Sequence, residues 1–216
     1  MDVLRTVVQW SDDKLAEKIR EDQIDILIDM SGHTAGDRLK VFARHPAPVQ
    51  ITWIGYPGTT GIKAMDYILM ENTVLPGKNI NAQFTEKIIR IPRSYAFDVE
   101  EQLPDVTEAP CVNNNFITFG SFNRLNKINR EVIALWCEVL RKLPDSRLQM
   151  AGMPSDGAPD ELLTWFKEER ISEDRLYFYP RSGFVEYLKL HNQVDFCLDT
   201  FPYTGGTTTM HALWMG

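Results

Sequence analysis

An α/β fold in two halves is predicted by three features of this 216-residue chain. Short β-branched runs alternate with segments of helical periodicity, the alternation breaks between residues 93 and 115, and it then resumes. Strands separated by helices imply parallel sheets with crossover connections. Two such runs imply two Rossmann-like halves, with ligand loops at the carboxyl ends of their strands.

The elements follow in order. Leu15, Ala16 and Ile19 give residues 12–21 a helical stripe, and Ser11 is placed to cap it. Residues 24–28 are a β-branched run, read as a buried strand that ends in the loop Ser31-Gly32-His33-Thr34. A short helix is predicted over 37–44 and is stopped by Pro46 and Pro48. Residues 49–54 form the next strand, which runs into the turn-rich segment 55–61; further strands are predicted at 67–70 and 87–91. After the break come a strand at 116–120 and a helix at 129–143 with Val132, Ile133, Trp136, Val139 and Leu140 on one stripe. Strands at 148–152 and 175–179 flank a helix at 159–170. A helix at 184–192, a strand at 195–199 and a helix beginning near Thr207 complete the series.

The break carries Pro104, Pro110, five acidic residues (Asp98, Glu100, Glu101, Asp105, Glu108) and Asn113-Asn114-Asn115. Without periodicity it reads as a linker over 96–115, between a half at 1–95 and a half at 116–216. The last residues, Met210 to Gly216, are largely apolar and stop where a further strand is expected, so both halves are expected to be incomplete and the chain a fragment.

Composition narrows the function classes. A net charge of −7 argues against a nucleic-acid partner, which needs a basic face. Cys111, Cys137 and Cys197 are scattered and odd in number, which disfavours a disulfide framework or zinc site and fits a reducing, cytoplasmic compartment. No apolar run reaches the length of a membrane span, and the start shows no signal-peptide pattern.

Three segments can carry chemistry. In Asp199-Thr200-Phe201-Pro202-Tyr203-Thr204-Gly205-Gly206-Thr207-Thr208-Thr209 a strand leads through glycines into a helix start, which suits phosphate oxygens; the same pattern also describes a helix capped by threonine. Arg124 and Lys127 follow the first strand of the second half, three residues apart, and can offset a diphosphate or simply be solvated. The loop Gly55 to Gly61 can wrap a sugar or be a tight connection. No Walker lysine and no G-x-G-x-x-G is present. The absence of D-x-D removes the usual carboxylate clamp for a metal, leaving amines and backbone dipoles to stabilise a leaving group. Taken singly, His33, His45, His191 and His211 read as structural. His33 lies in a polar loop, and His191 is spaced to bond Asp195.

Several ordered motifs together resemble the catalytic region of O-linked N-acetylglucosamine transferases, in particular bacterial and Spindly-like members. They are Asp25 to Thr34, Arg44 to Gln50, Trp53 to Thr59, Gly120 to Ile128 and Asp195 to Thr209. The resemblance implies a GT-B fold. It also implies inverting, metal-independent transfer of a sugar, first GlcNAc, from a UDP-sugar to Ser or Thr hydroxyls of proteins, with no cofactor. Lys127 matches the lysine that contacts the diphosphate and serves catalysis. Gly205, Gly206, Thr207 and Thr208 match the diphosphate loop, and Ile54, Gly55 and Pro57 the loop beside the sugar. Arg124 stands where animal members have glutamine, Gly206 where they have histidine, and His211 where they have the aspartate that contacts ribose. Phe184, Tyr187 and Leu190 stand in the register of their lysine, histidine and arginine near the nucleotide. The alternatives are a Spindly-like O-fucosyltransferase using GDP-fucose, a non-catalytic nucleotide-sugar-binding scaffold paralogue and a different GT-B enzyme acting on small molecules or glycans. The family's upstream histidines and tetratricopeptide repeats have no counterpart here.

Overall fold

A computed structural model describes residues 3–72, 79–92 and 103–216. The chain forms two compact units, Met1–Ala96 and Phe97–Gly216.

The first unit opens with α1 (Asp12–Glu21). Ser11 Oγ accepts from the Lys14 N–H, acidic Asp12 and Asp13 occupy the positive end of the helix dipole, and Lys18 and Arg20 the negative end. Next come β1 (Ile26–Asp29), α2 (Leu39–Phe42), β2 (Val49–Trp53), β3 (Tyr67–Glu71) and β4 (Lys87–Ile91). The four strands are all parallel, in spatial order β1-β2-β3-β4. Leu39, Phe42 and Met65 form one apolar cluster against Leu27 and Ile62, and Ile68 and Met70 a second against Ile80, Phe84 and Ile88. Buried Gln50 ties these layers together: its Nε2 donates to the Phe42 and Ala64 carbonyls at 3.0 and 2.6 Å.

The expectation that residues 24–28 form a buried strand is corrected. The strand is 26–29, and Ile26 and Ile28 are 56% and 46% exposed. β1 pairs only with β2, so it lies at the edge of the described sheet, and only alternate residues such as Leu27 reach the apolar cluster.

The second unit holds α3 (Cys111–Asn114), β5 (Thr118–Ser121), α4 (Arg130–Lys142), β6 (Arg147–Met153), α5 (Asp160–Glu168), β7 (Leu176–Pro180), α6 (Phe184–His191), β8 (Phe196–Cys197) and α7 (Thr207–Trp214). Its strands are parallel, in the order β7-β6-β5-β8. Phe119, Leu148, Met150 and Leu176 meet Val132, Ile133, Trp136, Cys137 and Leu140 of α4 and Leu162 and Phe166 of α5 in the main core. Asn129 caps α4, its Oδ1 accepting from the Val132 N–H at 2.8 Å. At the other end of α4 the Arg175 guanidinium donates to the Leu140 and Leu143 carbonyls, which a continuing helix would otherwise have used.

Asp98, Glu100 and Glu101 of the expected linker lie outside the described residues. Of the rest, Asp105, Thr107 and Cys111 are hydrogen-bonded to Asn192 and Asp195. Asp195 accepts from the Cys111 and Thr118 N–H groups at 2.8 and 2.7 Å, and Asn192 donates to the Asp105 carbonyl at 2.8 Å. The strand expected at 195–199 is paired only at Phe196 and Cys197, although the bonds Asp195 N–Thr118 O and Leu198 N–Gly120 O extend its docking on β5.

Trp136 fills the centre of the main core and is 2% exposed. Trp136→Ala is expected to destabilise the second unit by about 3–5 kcal/mol, read from the urea unfolding midpoint.

Candidate functional site

The strand order of the second unit reverses between β5 and β8. α4 and α5 lead from β5 outward to β6 and β7, and the chain then returns past β5 to place β8 on its other side. A crevice at the carboxyl ends of the strands opens at such a switch point. The loops that flank it are residues 122–129 after β5 and 198–206 after β8.

The first of these loops tightens into a 3₁₀ turn, Leu125–Lys127, with Arg124 as its exposed first flank. The turn directs Lys127 to the second loop: Nζ donates to the Thr204 carbonyl at 2.8 Å and lies 4.6 Å from the centre of the Tyr203 ring. Burial pulls the Lys127 ammonium below the usual lysine range. Asp199 nearby works against that fall and Arg124 adds to it.

The second loop closes on a single carboxylate oxygen. Asp199 Oδ1 accepts from the Thr200 N–H at 2.8 Å, the Gly205 N–H at 2.7 Å and Asn123 Nδ2 at 3.1 Å. Thr200 Oγ1 donates to the Tyr203 carbonyl inside the loop, and Asn129 Nδ2 to the Phe201 carbonyl from outside it. A Cβ on Gly205 would meet Thr209 Oγ1 at 2.3 Å and Asn123 Oδ1 and Thr208 Oγ1 at 3.1 Å, so a larger residue would force these side chains to shift. The loop opens α7 with Gly206 as N-cap and no side-chain cap bond. The alternative reading of a threonine-capped helix is thereby overturned. Gly206 has no side chain with which to satisfy the first N–H groups of α7.

In the first unit Asp29, 5% exposed, ends β1. Its Oδ1 accepts from the Ser31 N–H, and its Oδ2 from the Gly32 N–H and from Thr52 Oγ1 of β2. The loop after β2 crosses directly over it. A Cβ on Gly55 would lie 2.3 Å from the Met30 carbonyl oxygen, and Ile54 turns the chain with a φ of 62°. His33 stands exposed against Tyr56 edge to face at 5.5 Å. Beyond Pro57, buried Glu86 gathers the Thr60 N–H and the Thr59 and Thr60 hydroxyls. Burial raises the Glu86 pKa, but these hydrogen bonds outweigh it and hold the carboxyl below its ordinary value.

A family model described as Glycosyl transferase family 41 matches residues 6–115 and 106–216. The chain belongs to glycosyl transferase family 41. It is 36% identical, over 99% of its length, to a protein of Hordeum vulgare named probable UDP-N-acetylglucosamine–peptide N-acetylglucosaminyltransferase SPINDLY, of which it spans 23%. It is 31% identical, over 97% of its length, to the Arabidopsis thaliana protein of that description named SEC, of which it spans 22%. The chain thus spans about a quarter of the length of these curated relatives. A mutant O-GlcNAc transferase of Thermobaculum terrenum superposes with a TM-score of 0.88 at 36% identity, over 99% of this chain and 41% of that one. The two parallel α/β units have the mixed α/β architecture of the GT-B type.

Within this family 41 chain the structure brings together Lys127, Arg124, Gly205, Gly206, Thr207 and Thr208 at the switch point of the second unit. Ile54, Gly55 and Pro57 share one loop of the first. His211 sits on α7 within an aromatic group. Tyr187 Oη is 3.2 Å from its Nδ1 and the Phe184 ring is 5.2 Å away. His191 does not bond Asp195, whose oxygens are taken by Cys111 and Thr118. It stacks on Phe122 at 3.7 Å, and its Nδ1–H donates to the Tyr187 carbonyl. Asn123, Asp199, Asp29 and Glu86, which organise the candidate loops, carry no signature of that role in the sequence beyond their places just after a strand or before one.

Two expectations follow. Gly55→Ala sets a methyl against backbone atoms, Met30 O and Ser31 Cα, which cannot rotate away; it is expected to cost about 1–3 kcal/mol of first-unit stability in a chemical melt. Burial pushes the His191 imidazole down from 6.5 to about 4. The unfolded chain therefore takes up a proton near 6.5 that the folded chain takes only near 4, so stability falls as the pH drops through that window. His191→Gln is expected to show a shallower loss of melting temperature than the parent chain between about pH 7 and about pH 4.5.

Proposed function

We propose that this family 41 chain carries the diphosphate-binding part of a protein O-glycosyltransferase. That enzyme transfers a sugar, first GlcNAc, from a UDP-sugar to Ser or Thr hydroxyls by an inverting, metal-independent reaction. The observation that carries the reading is the meeting of the Lys127 ammonium with the loop that opens α7, at the switch point of the second unit. The names of the relatives, which describe UDP-N-acetylglucosamine–peptide transfer, support the donor and acceptor classes.

The chemistry is a single displacement. The acceptor hydroxyl oxygen forms a bond to the anomeric carbon, the bond from that carbon to the diphosphate oxygen breaks on the opposite face, and the hydroxyl proton is released. Negative charge grows on the departing diphosphate. Lys127 and the uncapped N–H groups at Thr207 and Thr208 offer a fixed charge and fixed dipoles to that oxygen cluster, so no reorganisation is needed as the charge develops. To reach a diphosphate, Lys127 exchanges its bond to the neutral Thr204 carbonyl for one to a phosphate oxygen, in which donor and acceptor are both charged. Ile54, Gly55 and Pro57 are proposed to flank the sugar, and Arg124 and His211 the nucleotide.

In the intact protein, Lys127→Ala is expected to lower kcat by about 100-fold or more with the fold retained. Modified acceptor peptide would be followed by mass spectrometry, with UDP-GlcNAc and GDP-fucose as parallel donors. Unchanged turnover would remove Lys127 from its role. Transfer from GDP-fucose alone would replace the donor, and transfer to neither peptide nor protein would leave a binding scaffold.

A further inference from the structure

We propose that Asn123 and Asp199 are positioning residues of the reaction, a hydrogen-bonded pair that fixes the diphosphate loop; this rests on the nucleotide-sugar reading above. Neither side chain need touch the donor. Asn123 is 7% exposed, and both ends of its amide are engaged. Nδ2 donates to Asp199 Oδ1 at 3.1 Å, and Oδ1 accepts from Thr208 Oγ1 at 3.2 Å. Asp199 Oδ1 in turn gathers the N–H groups of Thr200 and Gly205 at 2.8 and 2.7 Å.

The consequence is a rigid link between both flanks of the switch point. Asn123 belongs to the loop after β5 and Asp199 to the loop after β8, 76 positions apart in sequence. Through Asn123 the Thr208 hydroxyl is oriented, and through Asp199 the Gly205 backbone is held. Those two points bracket Gly206, the N-cap whose helix start has no side chain of its own to define it. Asn is suited to this place because one short planar group must donate and accept at once. A serine would be too short, and an aspartate would present an acceptor to an acceptor.

That requirement yields a substitution test. In Asn123→Asp the new carboxylate faces that of Asp199, with like charges and no donor between them, and the loop is pushed apart. A reversed pair cannot repair this, because the Asp199 oxygen that faces Asn123 also accepts from the Thr200 and Gly205 N–H groups, and an amide nitrogen in its place would face two donors.

The measurement is calorimetric affinity for UDP and for GDP on the full chain, well below each variant's melting temperature, where a role confined to stability would leave affinity unmoved. Asn123→Asp is expected to weaken binding by about ten-fold or more. Asn123→Ala, which removes the link without adding charge, is expected to weaken binding by about ten-fold and serves if Asn123→Asp does not fold. Parent-like affinity in Asn123→Ala or in a folded Asn123→Asp overturns the positioning role. Should the parent chain bind neither UDP nor GDP, the nucleotide-sugar reading itself fails and takes this inference with it.

Discussion

Asp199 Oδ1 accepts from two backbone N–H groups and one side-chain amide, and the loop that opens α7 takes its shape from those three bonds. The underlying constraint is general to parallel sheets. Where a strand ends, its chain must turn away while its backbone donors still need partners. Asp29 meets the same need after β1, serving Ser31, Gly32 and Thr52, and Glu86 meets it for the loop after β2, serving Thr59 and Thr60. The loops after β1, β2 and β8 are therefore each held by an acidic side chain that accepts from loop N–H or hydroxyl groups.

The close approaches are a second consequence of that constraint. Gly55 passes within reach of the Met30 carbonyl, where backbone atoms leave no room for a Cβ, and Gly205 lies against the Thr209 hydroxyl, which a Cβ would displace. A glycine in these loops is required less for an unusual backbone angle than for the absence of a side chain. Ile54 takes the opposite position, a β-branched residue with positive φ that is held there by the loop packing around Gly55.

Much of the fold was legible because it depends on local pattern. The stripe from Val132 to Leu140 packs into the main core, with Asn129 capping its helix, and both are written within a dozen residues of sequence. The misreadings occurred where a partner distant in sequence decides the outcome. Residues 24–28 have the composition of a buried strand, but exposure is set by sheet order, and β1 has a neighbour on one side only. The short helix α3 has no stripe to announce it; the Cys111 N–H at its start is tied to Asp195, 84 positions away. His191 lies four residues from Asp195, an inviting spacing, yet a ring from the loop after β5, Phe122, claims it by stacking.

The candidate site divides along the same line. Lys127 and the Gly/Thr loop were each visible as phosphate-compatible chemistry, and the order of the surrounding motifs joined them. What the sequence could not display was how the proposed diphosphate site would be arranged in a chain of net charge −7. The arrangement rests on geometry rather than an excess of cations. At the switch point one ammonium is brought against a helix start that has no side-chain cap, and the nearby carboxylate of Asp199 is turned to backbone N–H groups of its own loop. A carboxylate engaged in this way has much of its field answered by the dipoles it binds, so its presence beside Lys127 is compatible with an anionic ligand on the other side of the loop. The same arrangement explains why the organising residues have no mark in the sequence. Asn123 and Asp199 bond to each other and to the loop, and that link depends on two segments 76 residues apart sharing one hydrogen bond.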